Sequence, residues 1–267
     1  MLQSGQPIRS TILFVTEEAP PSASLIALLP LTVAVRVAAV RAVPMVCRQG
    51  NVLAIVAASH ICGQPQSAAW WLDQSVSSVP ILHLAGPLGI GFPAGTMTRT
   101  TASDLWSSIR REVIARSLRA TATIVRSLGF SPILRLAVSE TLDADPPFRS
   151  VVHLSRNVQC HRTTLYDEWH LSGLGRTDDL TIARFVDAVL LARAIAVKPA
   201  RIGWRHCCRQ GMCVRPERLN RIAEWLTGAP LSVACDEGFV NLIAAFDHRV
   251  TAGLVGGSTL SPVAPFR

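Results

Sequence analysis

Apolar residues are spaced differently in the two halves of this chain. In the first hundred residues they fall in short continuous runs, at residues 11–15, 32–37, 51–57 and 79–84. Runs of aliphatic and β-branched residues of this length are typical of buried parallel strands, and the helix-sized gaps between them indicate β-α-β units. The pattern therefore predicts an α/β domain built on a doubly wound parallel sheet.

A helical spacing begins after Ser103 and Asp104, which can cap a helix. Between residues 105 and 128 apolar residues recur every three or four positions, and arginines, including Arg110, take other positions. Gly129 supplies a stop signal, so the pattern predicts one long helix over residues 104–128. This helix could close the first domain, link it to the second, or pair with its copy in a homodimer. The sequence leaves these three roles open.

The rest of the chain is predicted to be all-α. Helical spacing predicts helices over residues 149–158, 162–171, 178–197, 201–210, 215–226 and one more within 231–248. We expect one domain over residues 8–128 and a second over residues 131–250. Residues 251–267, which become rich in Gly, Ser and Pro, are expected to form a flexible tail.

Two helix-turn-helix units are predicted in this second half. In the first, a helix ends near Val158 and another starts near Arg162, with Leu165 and Trp169 facing inward. This leaves the side chains at the start of the second helix pointing outward, namely Arg162, Thr163 and Tyr166, followed by His170. A helix presented in this way fits the major groove of DNA, where its first residues reach base edges.

The second unit is marked by residues with special backbone preferences. Gly211 suits the turn, Pro216 suits the first turn of the following helix, and Gly228 suits its end. Between the two units, residues 180–197 form a strongly apolar helix that can hold them at a fixed separation.

Three stretches of this half follow the pattern of a known family. The run from Cys160 to Tyr166 matches the start of a first recognition helix, and the run from Leu219 to Gly228 matches a C-terminal signature of Leu, a polar residue, Arg, an aliphatic residue and a closing Gly. Gly211-Met212 stands where that family has Gly-Phe, and Cys207 where it has a small residue. Residues 133–227 thus resemble the DNA-binding domain of AraC-type regulators, which implies a sequence-specific DNA-binding transcription regulator whose partner is double-stranded DNA.

The resemblance also implies which side chains contact DNA. Those expected at base edges are Arg162, Thr163, Tyr166, Arg215 and Arg218. Those expected at phosphates are Arg205, Arg209 and Arg221.

Acidic residues on the first recognition helix keep a second hypothesis open. Asp167 and Glu168 place two negative charges where phosphate contact favours Lys or Arg, and Glu224 does the same in the second unit. The alternative is a protein-interaction module whose helix-turn-helix units have drifted and bind DNA weakly or not at all.

The first domain resembles a degenerate response-regulator receiver. Residues 12–18 are similar to its first strand and following acidic cluster, and residues 79–85 to its fourth strand, with Ala85 where the family has Ser or Thr. The third strand should end in a phosphoacceptor Asp, but no Asp occurs before Asp73, and no Lys occurs in the first 197 residues. Because phosphoryl transfer needs the carboxylate and a cation, we predict a pseudo-receiver that is not phosphorylated by the usual route. Glu17 and Glu18 are interpreted as a solvated turn in preference to a cation site.

Composition narrows the class of protein. The chain of 267 residues is 49% apolar and 16% charged, which excludes a disordered or fibrous class. Its formal net charge is +8, and 25 of its 26 basic residues are Arg, the exception being Lys198. This balance fits a polyanionic partner.

Cysteines and the longest apolar stretch bear on location. The sequence has seven Cys, an odd number, and no recognisable secretory signal. Together these features predict reduced thiols and a cytoplasmic location. Residues 25–46 are apolar but interrupted by Arg36 and Arg41, so no membrane span is predicted.

No catalytic residue, metal site or cofactor is predicted. His206, Cys207, Cys208 and Cys213 lack the spacing of a zinc site, and we interpret Cys207 and its neighbours as buried small-residue packing. Cys47 and Cys62, the thiols of the first domain, lack a recognisable His or Asp partner, so the chain is not expected to be an enzyme.

Overall fold

The chain folds into two compact units. The computed structural model describes residues 10–16, 21–48, 51–57, 79–84, 98–101, 104–174, 180–199, 202–209 and 214–258. One unit comprises residues 1–113 with 199–201, and the other residues 114–198 with 202–267. This division lies inside the long helix rather than at residues 128–131, because the second half of that helix is bonded to the end of the chain. Ser117 Oγ donates to Asp247 Oδ1 at 2.9 Å, and the hydroxyls of Thr121 and Thr251 lie 2.8 Å apart.

The first unit is an α/β domain with a parallel sheet, as predicted. Its strands are β1 (Thr11–Val15), β2 (Ala34–Ala38), β3 (Val52–Ala57), β4 (Ile81–Leu84) and β5 (Thr98–Thr100), with helices α1 (Ala23–Ile26) and α2 (Val43–Arg48). The strand order is β2-β1-β3-β4-β5, and every pairing is parallel. This order, with a switch point between β1 and β3, is that of flavodoxin-like doubly wound folds.

The core of this unit lies between the central strands and α2. Leu13 of β1 is in register with Ile55 of β3, and both are fully buried. Val43 and Val46 of α2 pack against them. The continuous apolar runs of β1 and β3 thus form strands at the middle of the sheet.

The second unit is all-α, also as predicted. Its elements are α3 (Leu105–Ser127, which begins in the first unit), α4 (Pro132–Asp143), α5 (Val151–Asn157), α6 (Arg162–Leu171), α7 (Ile182–Val197), α8 (Trp204–Arg209), α9 (Pro216–Thr227), α10 (Leu231–Cys235), α11 (Phe239–Phe246), a π-turn (Asp247–Thr251) and α12 (Ala252–Ser258). None of the helices in the described ranges is long and apolar enough to cross a membrane.

Polar residues fix where these helices begin. The side chains of Ser131, Ser150 and Thr181 each accept a hydrogen bond from a backbone N–H three residues on, which caps α4, α5 and α7. Gly228 ends α9 with a φ of 73°, a left-handed conformation that Gly adopts without strain.

Helix α7 is the centre of the second unit. Ten of its sixteen residues are buried, and it contacts α4, α5, α6 and α9. A helix that is apolar on most sides must be covered on most sides. The apolar run over residues 180–197, predicted to hold the two helix-turn-helix units at a fixed separation, therefore contains the core helix of this domain.

The end of the chain differs from the predicted flexible tail. Residues 252–258 form α12, and Leu254 is fully buried. The prediction of a flexible tail was wrong for residues 252–258, because it rested on their Gly content. Gly253 instead lets α12 lie close to Leu180, since a Cβ at position 253 would come within 2.9 Å of Leu180 Cδ2. Residues 259–267 lie outside the described residues.

The last predicted helix, within 231–248, is divided in two. The chain turns at Asp236 and Gly238, between α10 and α11. Gly238 N donates to Val233 O at 2.7 Å, and a Cβ at Gly238 would meet that oxygen at 3.0 Å. Close backbone approach therefore interrupts the helix.

Arg110 departs from its predicted polar position. It lies on α3 with no exposed surface. The spacing of apolar residues alone does not show that a long Arg side chain can be enclosed with them.

Candidate nucleic-acid interface

The first helix pair consists of α5 and α6. Between them the chain turns at Gln159, whose φ is 52°, and Cys160 N donates to Ser155 O at 3.0 Å. Leu165 and Trp169 are buried on the inner face of α6, as predicted. Trp169 Nε1 donates to Leu180 O at 2.9 Å, and its ring lies 5.7 Å from that of Phe185 on α7. The inner face therefore fixes the orientation of α6.

The start of α6 carries the side chains predicted to contact bases. Arg162 and Thr163 are exposed, and Tyr166 is half-buried. His161 caps the helix: its Nδ1 accepts from Thr163 N at 3.4 Å and lies 2.7 Å from Thr163 Oγ1. This cap engages Thr163, and Arg162 is the exposed cation beside it. The cap was not predicted, although a His directly before a predicted helix start was the available signal.

The acidic residues of α6 lie beside these side chains. Asp167 is exposed and Glu168 is half-buried. In the described part of the chain, neither takes part in an ion pair within 4 Å that would neutralise it. The outer surface of α6 is thus of mixed charge.

The second helix pair consists of α8 and α9. Arg205 on α8 is exposed, whereas the side chain of Arg209 and residues 210–213, with Gly211 and Cys213, lie outside the described residues. Cys207 is 1% exposed, which agrees with its predicted packing role, but the prediction was wrong for its neighbours, since His206 is exposed and Cys208 is half-buried. Burial raises the pKa of the Cys207 thiol, so it is held protonated. The Cys208 thiol donates to Val214 O at 2.7 Å, which ties α8 to the start of α9.

Helix α9 has two kinds of arginine. Arg215 at its N-cap and Arg221 one turn and a half further on are exposed. Arg218 instead forms an ion pair across to α7, with its Nη2 2.5 Å from Asp187 Oδ1. Both side chains of this pair are about one-third exposed, at 34% and 29%. The Arg218 guanidinium is thus held by Asp187 against α7. That Arg218 contacts a base stays a prediction.

A groove of about 280 Å³ runs between α7 and α9. It is lined by Arg184, Asp187, Arg218, Arg221, Ile222 and Trp225. The guanidinium of Arg184 lies 5.2 Å from the Trp225 ring centroid, and that of Arg249 lies 6.0 Å from it. Arg249 Nη1 also donates to Trp225 O at 2.9 Å. The groove therefore gathers three cations and one carboxylate beside an indole.

That α7 and α9 would form one groove was not predicted. Arg184 and Asp187 are three residues apart, so they share one face of a largely apolar helix. That spacing was visible in the sequence, but which helix would face it was not.

The carboxyl ends of the central strands are only partly described. Ala57 ends β3 and is buried, in the position where the receiver resemblance would require an Asp. Glu17, Glu18, Cys62, Asp73 and Ala85 lie outside the described residues. Cys47 is half-buried, and burial raises the pKa of its thiol. Within the described ranges, no group of three or more His, Cys, Asp or Glu residues is placed to hold a metal ion.

Comparison with family models, curated proteins and solved structures finds no match to this chain.

Proposed function

We propose that this chain is a sequence-specific DNA-binding transcription regulator whose reading helices are α6 and α9. The observation that carries the proposal is the arrangement of helices in the all-α unit. Helix α7 is largely buried and supports both helix pairs, the first through α5 and α6 and the second through α9. Each pair presents an exposed arginine at or near the start of its second helix. Such an arrangement can address two successive segments of major groove on one face of a duplex.

Helix α6 would read the first segment. Arg162 is the base-contacting cation, because it is exposed at the first turn and Arg binds guanine O6 and N7 with two hydrogen bonds. Thr163 and Tyr166 lie next to it and complete the proposed contact surface. The His161 cap would orient the Thr163 hydroxyl.

Helix α9 would read the second segment. Arg215 is exposed at its start, and Arg218, which pairs with Asp187 in the absence of DNA, would have to leave that pair to contact a base. Arg221 and Arg205 are exposed and are proposed to contact phosphates.

The first unit is proposed to be a receiver-like domain that is not phosphorylated. Its strand order and the Ala57 at the end of β3 support this hypothesis. A homodimer through this domain or through residues 104–128 stays a prediction, as does the cytoplasmic location.

Selection from a random pool of duplexes at two salt concentrations tests the function of the full-length chain. We expect enrichment of two half-sites about one helical turn apart. Binding with steep salt dependence but no enriched sequence would mean that the surface attracts DNA electrostatically and does not read its sequence. If no duplex is bound at either salt, the alternative of a protein-interaction module gains, and the exposed Asp167 would be its first candidate contact.

Two arginine substitutions should separate base reading from phosphate contact. Arg162→Ala should relax the preference at one base pair, with a loss of about 1–3 kcal/mol of discrimination. Arg221→Ala should weaken binding to all sequences alike and lower the slope of log affinity against log salt by about 0.9. Arg119→Ala is the matched control, because Arg119 is exposed on α3 and has no proposed contact. Equal losses on every sequence for Arg162→Ala and Arg221→Ala would contradict the assignment.

A further inference from the structure

We infer that the groove between α7 and α9 is a binding site for a phosphate group, and that the Asp187 carboxylate occupies the place of the ligand when the site is empty. The inference rests on three arginines that line one groove. It does not need the proposed DNA-binding function, since the phosphate could belong to a DNA backbone or to a small molecule.

The cations of the groove come from two helices. Arg218 and Arg221 are three residues apart on α9, so they lie on one face of that helix, and Arg184 lines the groove from α7. Guanidinium groups match oxyanions well, because their donors form a planar fork that can bind two oxygens at once. The groove lined by these three arginines has a volume of about 280 Å³, which leaves room for a phosphate with its ester group or with a second phosphate.

Asp187 supplies the evidence that the groove takes an oxyanion. Its carboxylate oxygen lies 2.5 Å from Arg218 Nη2. A single carboxylate leaves a net charge of +2 among the four charged groups that line the groove. A phosphate dianion would offer more acceptor oxygens and more negative charge than the carboxylate that it replaces.

The rest of the groove is arranged to keep these cations in place. Arg184 lies over the Trp225 ring, an interaction that orients its side chain. Ile222 forms an apolar part of the wall. Glu224, the next carboxylate along α9, accepts a hydrogen bond from Asn220 Nδ2 at 2.6 Å and is not among the residues that line the groove.

Titration of the full-length chain with inorganic pyrophosphate, followed by calorimetry at constant ionic strength, tests the site. Wild-type protein should bind pyrophosphate with measurable heat, whereas an equal ionic strength of chloride should give none. Asp187→Asn keeps the size of the side chain and removes the competing charge, so it should tighten pyrophosphate binding roughly two- to fivefold. Arg184→Gln should weaken binding about tenfold, because it removes one charge-assisted contact.

Arg119→Gln is the control for charge alone, since it removes an equal charge from an exposed position on α3. The inference is overturned if Arg184→Gln and Arg119→Gln weaken pyrophosphate binding equally, or if Asp187→Asn binds pyrophosphate no more tightly than wild type. It is also overturned if neither wild-type nor Asp187→Asn binds pyrophosphate. Circular dichroism should show that each variant is folded, and Arg184→Gln tests the site alone if Asp187→Asn does not fold.

Competition with duplex DNA distinguishes the two sources of the phosphate. If pyrophosphate displaces bound DNA from wild-type protein but less effectively from Arg184→Gln, the groove holds a backbone phosphate. If pyrophosphate binds and DNA binding is unchanged, the ligand is a small phosphate-bearing molecule. If pyrophosphate binds but the chain binds no DNA at any salt, the proposed function fails and this inference stands.

Discussion

Replacing Trp169 by alanine is expected to lower the free energy of unfolding by about 3–5 kcal/mol. Trp169 is 1% exposed, contacts Phe185, and donates its indole N–H to Leu180 O. The substitution removes the ring and leaves the Leu180 carbonyl without this donor, so a cavity and a lost hydrogen bond act together. Denaturant titration of the full-length chain, followed by far-ultraviolet circular dichroism, measures the change.

Leu171→Ala is the matched control for Trp169→Ala. Leu171 lies on the same helix as Trp169 but is 76% exposed, so its substitution should change the free energy of unfolding by no more than about 0.5 kcal/mol. Equal effects of the two substitutions would mean that α6 is not anchored by its inner face. DNA contacts proposed for Arg162 would then lack a rigid support.

Leu254→Ala is expected to cost about 2–5 kcal/mol of unfolding free energy. Leu254 has no exposed surface, although it belongs to the segment that sequence composition assigns to a flexible tail. The close approach of Gly253 to Leu180 indicates that α12 packs tightly on the helical unit. The same denaturant titration measures the loss.

Val255→Ala is the neighbouring control for α12. Val255 is 36% exposed, so we expect a clearly smaller effect than at Leu254. A frayed tail would make both substitutions silent. That result would remove α12 from the fold and restore the interpretation suggested by composition.

The strands that sequence could predict are those with apolar runs. Most residues of β1 and β3 are buried, and β1, β3 and β4 are apolar apart from Thr11 and His83, which makes their pattern conspicuous. Strand β5, with the sequence Thr-Arg-Thr, was missed because it is short and has no apolar residue. Its partner β4 supplies the pairing that its own composition does not indicate.

Helices α5, α6, α7 and α9 were predicted with bounds close to those observed because apolar spacing marks them, whereas α4 and α12 were not predicted. The contacts between helices were not predicted either, because the pairing of Arg218 with Asp187 depends on which faces of α7 and α9 meet. Sequence spacing gives the face of one helix and not the partner of that face. The same reasoning applies to α12, whose burial depends on Leu180, more than seventy residues away in the chain.

The position of α7 has a consequence for how this domain can change by mutation. Its apolar surface supports both helix pairs, through contacts with α5 and α6 on the one hand and α9 on the other. A substitution at a buried position of α7 therefore alters the support of both helix pairs at once. If α6 and α9 bind DNA as proposed, a change that affects one of them alone must come from exposed residues, because the buried surface of α7 is shared by both pairs.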